Sequence, residues 1–500
     1  MNNQSDTKNL GSLVAKGASW IVAARFSIRF LGFINTIIIA RLLVPDDFGL
    51  IAIGVTTMQM LQGFTDVGVS QAVIRFRDAN RQDLNTLFTF SALRGIFVAL
   101  LLLAIAPIAA NFYEDPRVGW VFMGVAIYPL VLGFINPAFY EFERNLDYTK
   151  DFIVTTVNKL AGVIVSIAIA FTFRSYWAII LGMVTGGLVQ LTLSYIMKPF
   201  SPRFTFASHK KVLGFSGWIT GVSFMAALNN KLDALIVARF ANTDDAGNYY
   251  IGVRLSEMPS AELASPIARA IYPGFSALHG RADEMKKAYL RGVQAMSIIA
   301  LPASFGFAFV ASDLVQLLLG QKWMNAAPVI AIIAPVTGLQ TLFLATQFYA
   351  IARDKTKLVF YREFFFFFLR TPAMVWATIE YGLMGAVYAC ATMGIVHTLL
   401  NLTLYTRVSE GKIYEPLIAA HRSLLGAAAM SAYFFLLVPQ LTFLTDAPSV
   451  IRLAINISLG AGIYLSTMLL IWRAEGKPSG VERSIIDMAS KKFAQAKRSA

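Results

Sequence analysis

The sequence predicts an all-α integral membrane protein with about 14 transmembrane helices. Of the 500 residues, 56% are hydrophobic and only 14% are charged, whereas about 25% of the residues of soluble proteins are charged. The mean hydropathy is +0.60, and apolar runs of roughly twenty residues, long enough to cross a bilayer as a helix, recur along the whole chain. A soluble fold has no interior that could hide this much apolar surface, so lipid must cover much of it.

The apolar runs define the predicted spans in chain order. They are 17–41, 48–74, 84–111, 118–140, 152–173, 176–197, 212–239, 246–272, 288–311, 326–350, 358–379, 382–406, 422–440 and 450–472. The first run follows a polar start and lacks a small-residue cleavage site, so we interpret it as a retained span and not as a signal peptide.

The net charge of +14 is explained mainly by topology. Segments on the N-terminal side of the predicted spans contain 29 Lys and Arg residues, with Arg362 counted among these loop residues, and the opposite segments contain six, including Arg117. The positive-inside rule therefore predicts that both termini are cytoplasmic, and the charge gives no support for nucleic-acid binding. The basic tail has an apolar stripe that suits a helix lying on anionic membrane lipids, with a plain solvated tail as the alternative.

Metal and nucleotide chemistry find no support in the sequence. Cys390 is the single cysteine, and only four histidines are present, so disulfide frameworks and cysteine-based metal sites are excluded. HExxH, Walker A and strand-anchored GxGxxG patterns are absent from the sequence. We therefore predict no catalytic residues, no metal and no cofactor.

An internal repeat divides the chain into two halves. The segments IIIARLLVPDDFGLIAIGV (37–55) and LIVARFANTDDAGNYYIGV (235–253) align without a gap at an offset of 198. Six predicted spans separate the copies, so the repeat is parallel and predicts two six-helix lobes followed by two extra helices. The predicted divisions are 1–197 (N-lobe), 198–211 (cytoplasmic linker), 212–406 (C-lobe), 407–472 (spans 13–14) and 473–500 (tail).

The charged residues of the repeat have two interpretations. Aspartates directly before a helix cap its free N–H groups, and the arginines that precede them offset the negative ends of the previous helices. Alternatively, Arg–Asp contacts gate a transport pathway. The residues concerned are Arg41, Asp46, Asp47, Arg239, Asp244, Asp245 and Glu257.

Eight cations inside the predicted spans are assigned to neither side of the membrane, and they are the main functional signal. They are Arg25, Arg29, Arg94, Lys159, Lys231, Arg254, Arg269 and Arg370. Each costs about 2.5–3.5 kcal/mol at the centre of a bilayer, and the sum exceeds the net stability of a typical protein, about 5–15 kcal/mol. The cations must therefore pair, snorkel or line water.

For some of these cations, the sequence itself shows how the charge can be compensated. Arg269 is close enough to a span end to snorkel, Arg254 shares a helical face with Glu257, and Arg370 has Glu363 two turns back. Lys231 needs a partner on another span. The remaining surplus of positive charge predicts a water-filled cationic cavity that binds an anion, the alternative being that several cations bridge backbone carbonyls. The predicted cavity residues are Arg25, Arg29, Arg94, Lys159, Lys231, Arg254 and Arg370.

In its span count, its parallel repeat, its extra helix pair and the stretch ARLLVPDDFGLIAIG, the sequence resembles the polysaccharide transporter family. This family includes Wzx-type flippases and is part of the multidrug/oligosaccharidyl-lipid/polysaccharide (MOP) exporter superfamily. The resemblance covers nearly the whole chain. It implies alternating access through a cationic central cavity that moves undecaprenyl-pyrophosphate-linked oligosaccharides across the bacterial inner membrane for exopolysaccharide, O-antigen or capsule synthesis. Polysaccharide polymerase and export machinery are candidate partners. The best matches to the family's cavity are Arg25, Arg29, Lys231 and Arg254.

Two other functions are weighed against this one. A MATE-like cation or drug antiporter needs cation-binding carboxylates inside a lobe, and the N-terminal spans offer only Asp66. A membrane polymerase or ligase of lipid-linked sugars usually needs a large external domain, whereas the longest predicted external loop, around Gln321–Asn325, has about fifteen residues.

Overall fold

The computed structural model describes the chain over 30–65, 69, 73, 80–145, 147–208, 217–278, 280–440, 448–478 and 480–483. For 148, 217–221, 223, 261–273, 276 and 277, it describes the backbone alone. Among the predicted site residues, Arg25 and Arg29 therefore lie outside the described residues, as do Asp66 and most of the basic tail.

Helices form all the regular structure of the described ranges. In chain order they are α1 (Phe30–Leu42), α2 (Pro45–Phe64), α3 (Arg81–Phe112), α4 (Pro116–Gly133), α5 (Tyr148–Phe173), α6 (Trp177–Met197), α7 (Gly217–Phe240), α8 (Thr243–Ala277), α9 (Ala282–Phe309), α10 (Ala311–Leu318), α11 (Ala326–Leu342), α12 (Leu344–Ala352), α13 (Thr356–Ser409), α14 (Glu415–Ala432) and α15 (Ser449–Ala474). Short helical turns join some of them. The all-α prediction is confirmed.

Nine of the described helices are long and apolar enough to cross a membrane. They include α3, α4, α5, α6, α9 and α13, and they make the chain a multi-pass membrane protein. The exact total of 14 spans stays a prediction.

The longest of these helices, α13, is two helices that reverse direction. Gly382 leaves the helical conformation, with φ 59° and ψ −140°. Arg362 contacts Asn401 and Phe366 contacts His397, so the chain runs back along itself on either side of Gly382. Glycine is required because this region of backbone space is closed to residues with a Cβ.

The first compact unit comprises residues Met1–Gly247. Its helices pack through small residues: a Cβ added to Gly95 would lie 2.6 Å from the carbonyl oxygen of Pro129, and one on Gly182 would lie 2.7 Å from that of Gly162. Small residues let the helix pairs α3–α4 and α5–α6 approach closely where lipid supplies no hydrophobic driving force. Helix α7, which the repeat assigns to the second half, packs on α2 in this unit.

The second compact unit comprises residues Asn248–Ala500. Helix α9 packs on both α11 and α14, and α14 packs on α15. Arg422 holds α14 and α15 together through ion pairs of 2.6 Å to Glu475 and 2.8 Å to Glu482. His421 Nε2 lies 2.6 Å from Glu475 Oε1. Helices α14 and α15 are thus integrated into this unit.

The helix boundaries follow the repeat. Leu42 ends α1 and Phe240 ends α7, 198 positions apart, and Pro45 and Thr243, which begin α2 and α8, are separated by the same offset. The division into two six-helix lobes stays a prediction.

Candidate functional site

Asp46, in the first repeat copy, forms a polar cluster with residues at the starts of α4 and α8. Arg117 makes ion pairs of 2.6 Å with Asp46 and 2.7 Å with Asp115, and Thr243 Oγ1 donates a hydrogen bond to Asp46. We call Asp46, Asp115, Arg117 and Thr243 the aspartate latch. It joins the starts of α2, α4 and α8 at what the predicted topology makes the external side.

The second aspartate of the pair has a capping role. Asp47 is buried and accepts hydrogen bonds from the backbone N–H of Tyr176 at 3.1 Å and of Val44 at 3.4 Å. In the second repeat copy, Asn242 Oδ1 accepts from the N–H of Asp245 at 2.7 Å, and its side-chain amide donates to the Asp245 carboxylate. Helix capping and contacts between loops therefore coexist in this region.

Two equivalent glycines bring the repeat copies into direct contact. A Cβ on Gly49 would lie 1.8 Å from the carbonyl oxygen of Thr243, and a Cβ on Gly247 would lie 1.8 Å from that of Pro45. Gly49 corresponds to Gly247 and Pro45 to Thr243 at the repeat offset, so the contact is reciprocal. The two helix starts can cross this closely only because neither glycine has a side chain.

Arg239 supplies a second link beside the aspartate latch. It forms a 3.2 Å ion pair with Glu114 and lies 5.2 Å from the centre of the Phe112 ring. The Tyr113 hydroxyl donates to the carbonyl oxygen of Leu235 at 3.5 Å. Burial raises the pKa of Tyr113, so its hydroxyl stays protonated as a donor at neutral pH.

Arg94 is held by the end of α2. Its Nη2 donates to the carbonyl oxygen of Gln62 at 2.8 Å, and its Nε donates to Thr65 Oγ1 at 3.2 Å. A cavity of ≈ 80 Å³ borders the guanidinium group. Arg94 thus satisfies free carbonyls at a helix end, the alternative considered for the intramembrane cations, and its role in binding an anion stays a prediction.

Lys159 lies against α1. A Cβ added to Gly32 would come within 3.6 Å of Lys159 Nζ, and Gly32 follows Arg29 by three residues in the sequence. One turn beyond Gly32 on α1, Asn35 Oδ1 accepts a hydrogen bond of 2.8 Å from Ser166 Oγ of α5. A polar seam therefore connects α5 to the helix that follows Arg29.

Lys231 and Arg254 have no counter-charge within the described part of the chain. Lys231 is half-buried in α7, Arg254 is exposed on α8, and neither makes a hydrogen bond or ion pair with a described residue. The sequence neighbour Glu257 forms no ion pair with Arg254. The side chain of Arg269 lies outside the described residues.

Arg370 faces the second half of α13. Its Nη2 lies 3.7 Å from Cys390 Sγ, and its guanidinium carbon lies 5.6 Å from the centre of the Phe366 ring. The thiol and the ring account for much of its environment in the middle of the membrane.

The sequence reasoning missed a buried polar network two turns before Arg370. Arg362, only 8% exposed, donates to both Glu363 and Asn401. His397 Nε2 lies 3.8 Å from Glu363 Oε1 and has no hydrogen-bond partner. The charge count placed Arg362 in a loop, although it falls inside the predicted span 358–379, and that position was the available signal.

Two cations of the predicted cavity, Lys231 and Arg254, stand without a counter-charge among the described residues. Within the ranges the structure describes, no three His, Cys, Asp or Glu side chains form a possible metal site. The charged groups serve as ion pairs, caps and solitary cations.

Similarity to known proteins identifies the family of the chain. A family model described as "Polysaccharide biosynthesis protein" matches residues 38–328. The chain is 23% identical over 406 residues to the lipopolysaccharide biosynthesis protein WzxC of Escherichia coli (strain K12), covering 80% of this chain and 82% of WzxC. It is 21% identical over 481 residues to the succinoglycan biosynthesis transport protein ExoT of Rhizobium meliloti (strain 1021), covering 95% of both chains.

Solved structures show the same fold. The lipid II flippase MurJ in an inward closed conformation superposes with a TM-score of 0.69 at 14% identity, covering 90% of this chain and 98% of that one. An inward-facing multidrug resistance MATE family transporter of the MOP superfamily gives a TM-score of 0.58 at 12% identity, with coverages of 78% and 98%. At these identities the likeness concerns the fold alone.

Proposed function

The chain belongs to the polysaccharide biosynthesis protein family, and from this membership we propose that it is a flippase for undecaprenyl-pyrophosphate-linked oligosaccharide repeat units. It moves them across the bacterial inner membrane, with both of its termini in the cytoplasm, for synthesis of exopolysaccharide, O-antigen or capsule. WzxC, a lipopolysaccharide biosynthesis protein, and ExoT, a succinoglycan transport protein, support the assignment. Transport makes no covalent bond, so the chain needs no catalytic group.

The observation that carries the proposal is the unneutralised charge of Lys231 and Arg254. A cation inside a membrane helix without a carboxylate partner needs water or an anionic ligand, and the diphosphate head of the lipid carrier is such a ligand. The sugars remain in the hydrated route, while the polyprenyl tail stays in lipid.

The proposed sequence of binding follows the predicted spans, in which Arg25 lies nearer the cytoplasmic side, and Lys231 and Arg254 lie nearer the external side. The diphosphate first pairs with Arg25 and Arg29, because guanidinium groups bind phosphate oxygens in bidentate geometry. It then passes to Lys231 and Arg254 as access alternates from one side of the membrane to the other. Arg94, Lys159 and Arg370 contribute positive potential along the route.

The aspartate latch closes the external side in this proposal. The reciprocal glycine contact and the hydrogen bond from Thr243 to Asp46 hold the starts of α2 and α8 together, and the ion pair between Arg117 and Asp46 joins α4 to α2. Release of the substrate then requires these contacts to separate, which gives Asp46 and Arg117 a gating role in addition to helix capping.

An antiporter of the MATE type is the alternative within the same fold, and the TM-score of 0.58 is compatible with it. The charge of the described cations favours an anionic substrate. A polymerase or ligase of lipid-linked sugars would instead leave unpolymerised repeat units on the outer leaflet when it is lost.

The test deletes the gene and locates the lipid-linked repeat units. We expect them to accumulate on the cytoplasmic leaflet while surface polysaccharide disappears. Complementation with Lys231→Gln should fail, complementation with Lys231→Arg should restore part of the export, and Arg29→Ala should fail while the protein remains in the membrane. Normal polysaccharide in the deletion strain, or accumulation on the outer leaflet, would reject the flippase function.

A further inference from the structure

A cavity of ≈ 350 Å³ lies between the two halves of α13, close to where the helix pair begins and ends. The first half contributes Tyr361, Arg362 and Phe365, and the second contributes Thr403 and Arg407. Its volume is within the range of sites for small ligands. Of its described lining residues, two are arginines and none is acidic, so the cavity is suited to an anion.

The two arginines differ in burial and in their partners. Arg362 is buried and held by Glu363 and Asn401, and its Nε has no hydrogen-bond partner. Arg407 is exposed and makes no hydrogen bond or ion pair with any residue that the structure describes. Glu363 offsets the charge of Arg362, so Arg407 provides the net positive charge at the cavity.

The depth of the cavity matches the head-group layer. The first half of α13, from Thr356 to Tyr381, is about 39 Å long at 1.5 Å per residue, close to the 40–45 Å of a bilayer with its head groups. Arg407 therefore lies about 3 Å from the helix end, and Arg362 about 9 Å from it. These positions bracket the layer in which lipid phosphates lie.

The rest of the cavity wall is apolar and accessible to lipid. Tyr361 is 49% exposed and Phe365 is 67% exposed, and both follow the helix toward the membrane interior. An aromatic and aliphatic wall below a pair of arginines complements a molecule with a phosphate above acyl chains.

From this combination we propose that the cavity binds one anionic phospholipid of the leaflet predicted to be cytoplasmic. Arg407 pairs with the phosphate, and the acyl chains lie along Tyr361 and Phe365. This inference is independent of the proposed transport function, because it concerns a resident lipid and its test involves no transport.

The test measures lipid retention by the full-length protein. Purified protein in detergent is given an equimolar mixture of dioleoyl phosphatidylglycerol and dioleoyl phosphatidylcholine, and bound lipids are counted by native mass spectrometry. We expect phosphatidylglycerol to be retained preferentially. Arg407→Gln should lower that preference about tenfold, the effect of losing one charge-assisted hydrogen bond.

Two further variants and one competitor make the result specific. Thr403→Trp should also abolish the preference by filling the cavity, while Lys412→Gln, a loss of charge on the same side but outside the cavity, should preserve it. Wild-type retention by Arg407→Gln, or equal loss in Lys412→Gln, would overturn the proposal. Millimolar inorganic phosphate should leave the lipid bound, and its displacement would mean that the site takes free phosphate instead.

Discussion

Breaking the aspartate latch should open the external face of α2. In Arg117→Gln the ion pairs to Asp46 and Asp115, 2.6 and 2.7 Å long, are both lost. The Arg117 side chain is 47% exposed, so each pair contributes at most about 1 kcal/mol. Asp115 and Arg117 lie together at the start of α4, so only the pair with Asp46 links two helices. Its loss should weaken the closed state by up to about 1 kcal/mol, which is a factor of up to about 5 in its population relative to the open state.

The assay follows a cysteine buried behind the latch. Thr56 is 4% exposed and lies two turns beyond Gly49 on the same face of α2, so Thr56→Cys in a Cys390→Ala background reports opening. A membrane-impermeant maleimide added from outside should label this cysteine up to about 5 times faster when Arg117→Gln is present.

The control is Arg174→Gln, because Arg174 is exposed and makes no ion pair with a described residue. Its labelling rate should equal that of the parent. A double-mutant cycle with Asp46→Asn should show coupling between Asp46 and Arg117. Unchanged labelling in Arg117→Gln, or strictly additive effects in the cycle, would refute the latch.

Three other predictions concern packing and charge. Gly49→Ala should destabilise the crossing of α2 and α8 by about 1–3 kcal/mol, since the new Cβ meets a carbonyl oxygen. The labelling rate of Thr56→Cys measures this effect: it should increase, and a rate equal to that of the parent would contradict the prediction. Gly382→Ala should lower the thermal midpoint in detergent, because φ 59° with ψ −140° is strained by a Cβ by about 1–3 kcal/mol, whereas Gly306→Ala, with open space around it, should not. Hydrogen bonds from His421 and Arg422 lower the pKa of Glu475, so they stabilise the ionised carboxylate. Glu475→Gln should therefore lower the midpoint at pH 7, and its difference from the parent should vanish as the pH falls through the lowered pKa of Glu475; a difference independent of pH would argue against this.

The parts of the fold set by local sequence were predictable. The repeat aligned at an offset of 198, and the helix ends at Leu42 and Phe240 fall at that offset. The break between spans 358–379 and 382–406 coincides with the reversal at Gly382. The helix ends and the break at Gly382 each depend on residues within a few positions of one another, and sequence patterns carry structural information over such short distances.

The partners of the charged residues were not predictable in the same way. Arg117 was counted as a cation of the opposite side, but its pairing with Asp46, 71 positions away, depends on how α2 and α4 pack. Arg94 was selected as an intramembrane cation, whereas its contacts to Gln62 and Thr65 lie on another helix. A count of charges shows how much counter-charge the membrane segments need, whereas the tertiary structure determines which groups supply that counter-charge.

The buried network around Arg362 shows a related limit. Counting Arg362 with the loop residues treated the membrane boundary as sharp, although predicted helix ends are uncertain by a few residues. Asn401 and His397 lie 39 and 35 positions from Arg362, and only the reversal at Gly382 brings them to it.

The reciprocal glycine contact has an evolutionary consequence. When Gly49 of one copy meets Thr243, and Gly247 meets Pro45, the same surface serves both partners, as in an isologous interface of a twofold homodimer. Two separate polypeptides, each carrying a single copy of the motif, could have met through this surface before duplication and fusion joined them in one gene. A substitution at either glycine now alters only one side of an interface whose ancestor changed on both sides at once.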